Sequence, residues 1–89
     1  MDRGVAYRLL ATELASYRRL TYAELRQLVG DTYTHRVQVA GLGYEIDIRV
    51  AALNDTPSHI LVDGTVGGID WGSPIDRFDD HFISVPDGP

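Results

Sequence analysis

The chain has 89 residues, an apolar fraction of 44%, no cysteine and a net charge of −5 at pH 7. This length suits one domain with its own core, and the lack of cysteine excludes disulfides, thiol catalysis and thiolate metal sites. No apolar run approaches the roughly 18 residues that a membrane span needs, and the first residues show no secretory leader. We therefore expect a single-domain cytoplasmic protein with no membrane contact.

The first predicted element is an amphipathic helix over residues 5–20. Its polar side carries Glu13 and several arginines, and its apolar residues recur at three- and four-residue spacing. These apolar residues are Val5, Leu9, Leu10, Leu14 and Tyr17. The apolar surface of this helix is wider than packing against one neighbour requires. We therefore expect part of it to remain exposed and to act as an interface.

The second predicted helix, over residues 22–29, begins with a clear local signal. Thr21 and Glu24 have the spacing of a capping box, in which each residue satisfies a backbone N–H of the other. Gly30 suits the positive φ that follows the end of a helix. We expect this second helix to lie across the apolar face of the β-hairpin that follows.

Residues 33–53 alternate between apolar and polar at period two around a glycine-containing turn, the pattern of a half-buried β-hairpin. A type I turn over residues 40–43, closed by a left-handed glycine, fits this segment. The resulting register gives one apolar and one polar face. It pairs Val39 with Tyr44, Val37 with Ile46, His35 with Ile48, Tyr33 with Val50 and Arg36 with Asp47.

A third strand over residues 59–66 places Ile60, Val62 and Val66 on one face, and Gly64 leaves space on that face for a large neighbouring side chain. Trp71 is interpreted as the core side chain that fills it, with an anchor for a partner as the alternative. Ser73 is a helix-start signal, and residues 81–85 form a short fourth strand. The predicted fold is α+β, with two N-terminal helices packed on one face of a three- to four-stranded antiparallel sheet.

Three stretches of the chain resemble a known family. They are Y-A-E-L-R-Q-L-V-G at 22–30, L-V-D-G-T-V-G-G-I-D-W at 61–71 and D-H-F-I-S-V-P-D-G at 80–88. In this order they are similar to small uncharacterised bacterial domains in which a Y-x-E-L-x-x-L-x-G helix precedes strands, a glycine-aspartate-tryptophan loop and an F-I-x-x-P-D-G ending. The chain departs from this pattern at Leu42 and near Asn54. The resemblance implies no catalytic residue, because no activity is assigned to such domains.

One alternative reading is a small enzyme with a composite site of His59, His81, Asp63 and Asp80, in which histidine and carboxylate would act as acid and base or bind a metal. The histidines do not have the spacing of a known metal-binding motif. No nucleophile motif occurs in the sequence. His35 falls on the apolar side of the hairpin, where packing and hydrogen bonding are the commoner roles. We therefore expect the chain to fold without a metal or cofactor.

A second alternative is nucleic-acid binding through Arg18, Arg19 and Arg26. Residues 1–30 carry five arginines and three acids, whereas residues 31–89 carry three arginines and ten acids. The acidic balance of the whole chain disfavours a nucleic-acid partner.

The leading hypothesis is a non-enzymatic protein-interaction or regulatory module. Its partner is another protein or a second copy in a homodimer, since the positive helices could approach the negative sheet half of the partner. The residues predicted to carry the interaction are Leu10, Leu14, Tyr17, Arg18, Arg19 and Trp71.

Overall fold

The computed structural model describes residues 3–68 and 77–86. The elements in chain order are α1 (Arg3–Arg18), α2 (Tyr22–Gln27), β1 (Thr32–Val39), β2 (Leu42–Ala52), β3 (Ile60–Gly68) and β4 (Arg77–Ser84). The four strands form one antiparallel sheet in the order β1-β2-β3-β4, which confirms the predicted α+β class. The predictions for Trp71 and for a helix start at Ser73 fall outside the described residues.

The capping box at the start of α2 is confirmed. The Thr21 hydroxyl accepts from the Glu24 N–H at 3.2 Å, and the Glu24 carboxylate accepts from the Thr21 N–H at 2.9 Å. The hydrogen bond from the Thr21 N–H, followed by an interaction of the Thr21 side chain with the same carboxylate, lowers the pKa of Glu24 below its usual value. The helix ends at Gln27, two residues earlier than predicted, and Gly30 has the expected positive φ of 95°. The Gly30 N–H donates to the Val50 carbonyl of β2 at 2.9 Å, so the chain passes directly from helix to sheet.

Thr21→Ala should lower the free energy of unfolding by about 0.5–2 kcal/mol, because it leaves a helix N–H without its side-chain acceptor. Thr21→Ser keeps the hydroxyl and is the matched control, which should stay close to the parent. Thermal or urea unfolding followed by circular dichroism measures the difference. Equal stability of the alanine and serine variants would show that the hydroxyl contributes nothing to the start of α2.

The predicted register of the hairpin is wrong by two residues. Val39 pairs with Leu42, not Tyr44, and Val37 pairs with Tyr44, not Ile46. The cause is the turn, which has two residues and not four: Ala40 and Gly41 have φ of 53° and 79°, the two positive values that a type I′ turn requires. Such a turn follows the right-handed twist of its strands, and it brings Leu42 and Gly43 into β2.

The two-residue shift leaves every side chain on its predicted face but changes its neighbours across the strands. On the polar face, Arg36 pairs with Glu45 and makes an ion pair at 2.9 Å, where Asp47 was predicted. Asp47 instead lies opposite Thr34, whose hydroxyl donates to its carboxylate at 2.7 Å. The polar cross-strand pairs therefore agree with the shorter turn.

Helix α1, rather than α2, is the main cover of the sheet. It packs mostly on β3 and also contacts β4 and β2, whereas α2 makes fewer contacts and buries Leu25 beside β3. The core between these layers consists of Ala6, Leu10, Leu14, Leu25, Tyr44, Ile46, Ile48, Val50, Ile60, Val62 and Val66. The prediction that α2 lies across the apolar face of the hairpin is therefore wrong, because α2 lies beside β3.

Leu10 and Leu14 of α1 occupy the space over Gly64. A Cβ atom at Gly64 would lie 2.7 Å from Leu10 Cδ1 and 3.3 Å from Leu14 Cδ2. Each leucine is only 1% exposed in the single chain. The predicted open surface at Leu10 and Leu14 is therefore wrong: both belong to the core. Within the described ranges, neither helix has the length and apolar character needed to cross a membrane.

Candidate interaction surface

The edge strand β1 is the least covered part of the sheet on the side of the helices. Helix α1 packs on β2, β3 and β4, so the side chains of β1 on this side lie beyond the helix. Tyr33 is 41% exposed, and Val37 and Val39 are half-buried. An edge strand with accessible apolar side chains is a site where another chain can add a strand.

Although α1 packs on the other three strands, a few of its side chains reach β1, and the two elements run in opposite directions. Val5 and Leu9 line a groove with Val39 at one end, and Tyr17 contacts Tyr33 at the other. Twelve residues of helix rise about 18 Å, and six residues of strand span about 20 Å. The contacts at the two ends are therefore separated by nearly the same distance along the helix and along the strand.

An apolar groove of about 310 Å³ lies between the first turns of α1 and the end of β1. We call it the β1 groove; its lining residues are Val5, Arg8, Leu9, Thr12 and Val39. Arg8 is exposed and places a cation at the rim of an otherwise mostly apolar site. A groove of this composition suits an apolar side chain whose neighbour is polar or acidic.

Polar contacts tie α1 to β1 beyond the groove. His35 Nδ1 lies 2.6 Å from a carboxylate oxygen of Glu13, with the histidine side chain 59% exposed. His35 thus has the predicted hydrogen bond, but it is not packed in the core. The ring centroids of Tyr17 and Tyr33 are 6.3 Å apart, and partial desolvation followed by nearby acidic groups raises the pKa of both phenols. Both tyrosines therefore stay neutral donors at neutral pH.

The hairpin also determines which backbone groups of β1 face outward. A two-residue turn makes Val39 and Leu42 a hydrogen-bonded pair, and bonded and non-bonded pairs then alternate along the ladder. In agreement with this alternation, the Val50 N–H donates to the Asp31 carbonyl at 3.2 Å. The outward groups are therefore the N–H and C=O of Thr32, Thr34, Arg36 and Gln38. In the part of the chain that the structure describes, no strand pairs with this edge.

The opposite edge strand, β4, differs from β1 in its side chains. Asp80 lies on the helix side of β4, opposite Gly64, and its carboxylate accepts from the His81 N–H at 2.8 Å. Asp79, the residue before it, lies on the other face. An inward-pointing charge and an acidic neighbour are common protections of a sheet edge, so β4 is the less suitable edge for pairing.

The composite histidine–aspartate site is not assembled. Asp63 and His81 lie opposite each other on the face away from the helices, whereas Asp80 is on the helix side. His59 precedes β3, four residues before Asp63 or about 13 Å along an extended chain. Among residues 3–68 and 77–86, no three histidine or acidic side chains are grouped so that they could hold a metal ion.

The arginines proposed for nucleic acid differ in what they contact. Arg18 packs over the Phe82 ring of β4, with its guanidinium carbon 4.8 Å from the ring centroid. Arg26 lies on α2 and donates to the Tyr22 hydroxyl at 3.4 Å. Arg19 is exposed just after α1. Two of the three cations are thus engaged with aromatic side chains of the same chain.

Of the residues predicted to carry an interaction, only Tyr17 borders β1. Leu10 and Leu14 are core residues, Arg18 lies beside β4, Arg19 follows α1 and Trp71 is outside the described residues. Sequence reasoning missed Val39 and Arg8 as surface residues, although Val5 and Leu9 were recognised as part of the apolar side of the helix. The missing information was the lateral position of α1, which local patterns do not contain.

Comparisons of the chain with protein-family models, with curated proteins and with solved structures found no match. The resemblance to small bacterial domains therefore remains a prediction.

Proposed function

We propose that this chain is a protein-interaction module that binds an extended protein segment along the outer edge of β1. The observation that carries the proposal is the combination of an eight-residue edge strand with an apolar groove beside it. In such binding, main-chain hydrogen bonds supply affinity and alternate side chains supply specificity.

The backbone part of the site consists of the outward N–H and C=O groups of Thr32, Thr34, Arg36 and Gln38. Proline and lysine, two residues that commonly protect sheet edges, do not occur in β1. Strand addition would give each of these outward groups a partner other than water.

The side-chain part of the site is on the helix side. An added strand would present alternate residues next to Tyr33, Val37 and Val39, at the border of the β1 groove. Burial of such side chains contributes about 25 cal/mol per Å² of apolar area. Affinity would therefore favour segments that alternate between apolar and polar residues.

Selection from a phage library of random peptides tests this proposal. The chain is immobilised at low density, so that neighbouring copies do not pair. We expect the selected peptides to alternate at period two and to bind Thr34→Pro at least about tenfold more weakly, because proline removes an outward donor. The matched control is Asp79→Pro on the outer edge of β4, which should bind like the parent.

The proline variants are compared only after circular dichroism shows native spectra for both. Thr34→Ala controls for the loss of the hydroxyl, which donates a hydrogen bond to Asp47. This variant should retain peptide binding. Peptides that bind Thr34→Pro and the parent equally well would place the binding site away from β1 and overturn the proposal.

A further inference from the structure

We infer that the segment bound by β1 is β1 of a second copy, in a two-fold antiparallel dimer that joins the two sheets. This inference rests on the proposed function, because it names the partner for the same edge. It is argued from the self-complementarity of β1 and from the charges at its two ends.

The outward backbone groups limit the registers that two β1 strands can adopt. These groups belong to even-numbered residues, so even residues must lie opposite even residues across a two-fold axis. Two registers then give the largest overlap, one centred on His35 and the other on Arg36. Both keep the helices of the two copies on the same side of the joined sheet.

The register centred on Arg36 places that arginine directly opposite its own copy, and like charges in this position are destabilising. The register centred on His35 avoids this contact. It places Arg36 opposite Thr34 of the second copy, whose hydroxyl is bonded to the Asp47 carboxylate, so a cation approaches an anion. On the helix side it pairs Tyr33 with Val37 of the second copy.

The same register brings together an acid before β1 and a cation of α1 that lies near the other end of β1. Asp31 precedes the strand, and in this register it lies opposite Val39 of the second copy. Val39 lines the β1 groove together with Arg8. Each groove is therefore completed by the carboxylate of Asp31 from the other copy, and the two-fold axis repeats this contact at both ends of the interface.

Sedimentation equilibrium of the full chain over a range of concentrations tests the inference. We expect a dimer mass at high micromolar concentration and a monomer mass after Thr34→Pro, whereas Asp79→Pro should remain dimeric. Arg8→Glu and Asp31→Arg should each raise the dimer Kd about tenfold. The double variant reverses both charges, so it should restore the parent Kd.

The absence of natural cysteine allows a direct test of the register. His35→Cys places two thiols opposite each other at the two-fold axis, about 4.5 Å apart between Cα atoms, and should form a disulfide dimer under mild oxidation. Arg36→Cys is the control, because its thiols are displaced from each other in this register. Faster cross-linking of Arg36→Cys would contradict the register centred on His35.

A monomer mass at every concentration, or a dimer that Thr34→Pro leaves intact, overturns the inference. The peptide selection at low density decides the proposed function separately. If selected peptides bind at β1 while the chain stays monomeric, the module pairs with a foreign strand. If a dimer persists in Thr34→Pro while peptide binding is lost, the copies associate through another surface.

Discussion

Leu10→Asp should prevent the domain from folding. Leu10 is 1% exposed and packs over Gly64 in the centre of the sheet. Truncation of a buried leucine alone lowers the free energy of unfolding by about 2–5 kcal/mol, and a buried carboxylate with no partner lowers it further. The total free energy of unfolding of a small domain is only about 5–15 kcal/mol. Circular dichroism should show loss of secondary structure at room temperature.

Tyr7→Asp is the matched control for this variant. Tyr7 lies on the same helix but is 57% exposed, so the same change of side chain should leave a folded protein with nearly the parent midpoint. Leu10→Ala gives a graded comparison, with a lower unfolding midpoint but a native spectrum. A folded Leu10→Asp variant would place this leucine outside the monomer core and return it to the interface that the sequence suggested.

The parts of the fold that sequence patterns predicted depend on near neighbours. The capping box needs only Thr21 and Glu24, and its hydrogen bonds form as expected. Likewise, period-two alternation identified the buried face of β3, with Ile60, Val62 and Val66 inside. Both signals come from residues close in the chain, and tertiary packing has little influence on them.

The register of the hairpin could not be obtained in this way. Because side chains alternate at period two, a shift of two residues keeps every residue on its face, and the pattern fits both turns equally well. The choice depends on Ala40 adopting a positive φ of 53°, a conformation uncommon for residues other than glycine. The sequence favoured the longer turn, which places its glycine in the left-handed position.

The candidate site was the least predictable part, because it depends on where α1 lies across the sheet. Placement of the helix over β3 buries Leu10 and Leu14 and leaves β1 at the border. That placement requires Gly64, which lies 46 residues or more from α1 in the sequence (64 − 18 = 46). Long-range packing of this kind produces no local period, so the apolar side of α1 gave no indication of which leucines would be covered.

Gly64→Ala should destabilise the domain by about 1–3 kcal/mol through overpacking. The added Cβ would lie 2.7 Å from Leu10 Cδ1 and 2.8 Å from Ile48 Cδ1, closer than carbon atoms pack. Gly67→Ala, in the same strand, is the matched control. Its Cβ would approach only the side chain of Arg77, at 3.1 Å, and this exposed, flexible side chain is able to move. Urea unfolding should show a clear loss for Gly64→Ala and little change for Gly67→Ala.

A double-mutant cycle with Leu10→Ala tests the cause of that loss. Leu10→Ala removes the Cδ1 atom that the new Cβ would meet, so Gly64→Ala should be less destabilising in the Leu10→Ala background than in the parent. Residues in direct contact couple by about 0.5–3 kcal/mol. We expect a coupling of this size that makes the double variant more stable than the sum of the two single effects predicts. Strictly additive effects would mean that α1 does not approach β3 at Gly64. The lateral position of the helix, which leaves β1 accessible, would then be wrong as well.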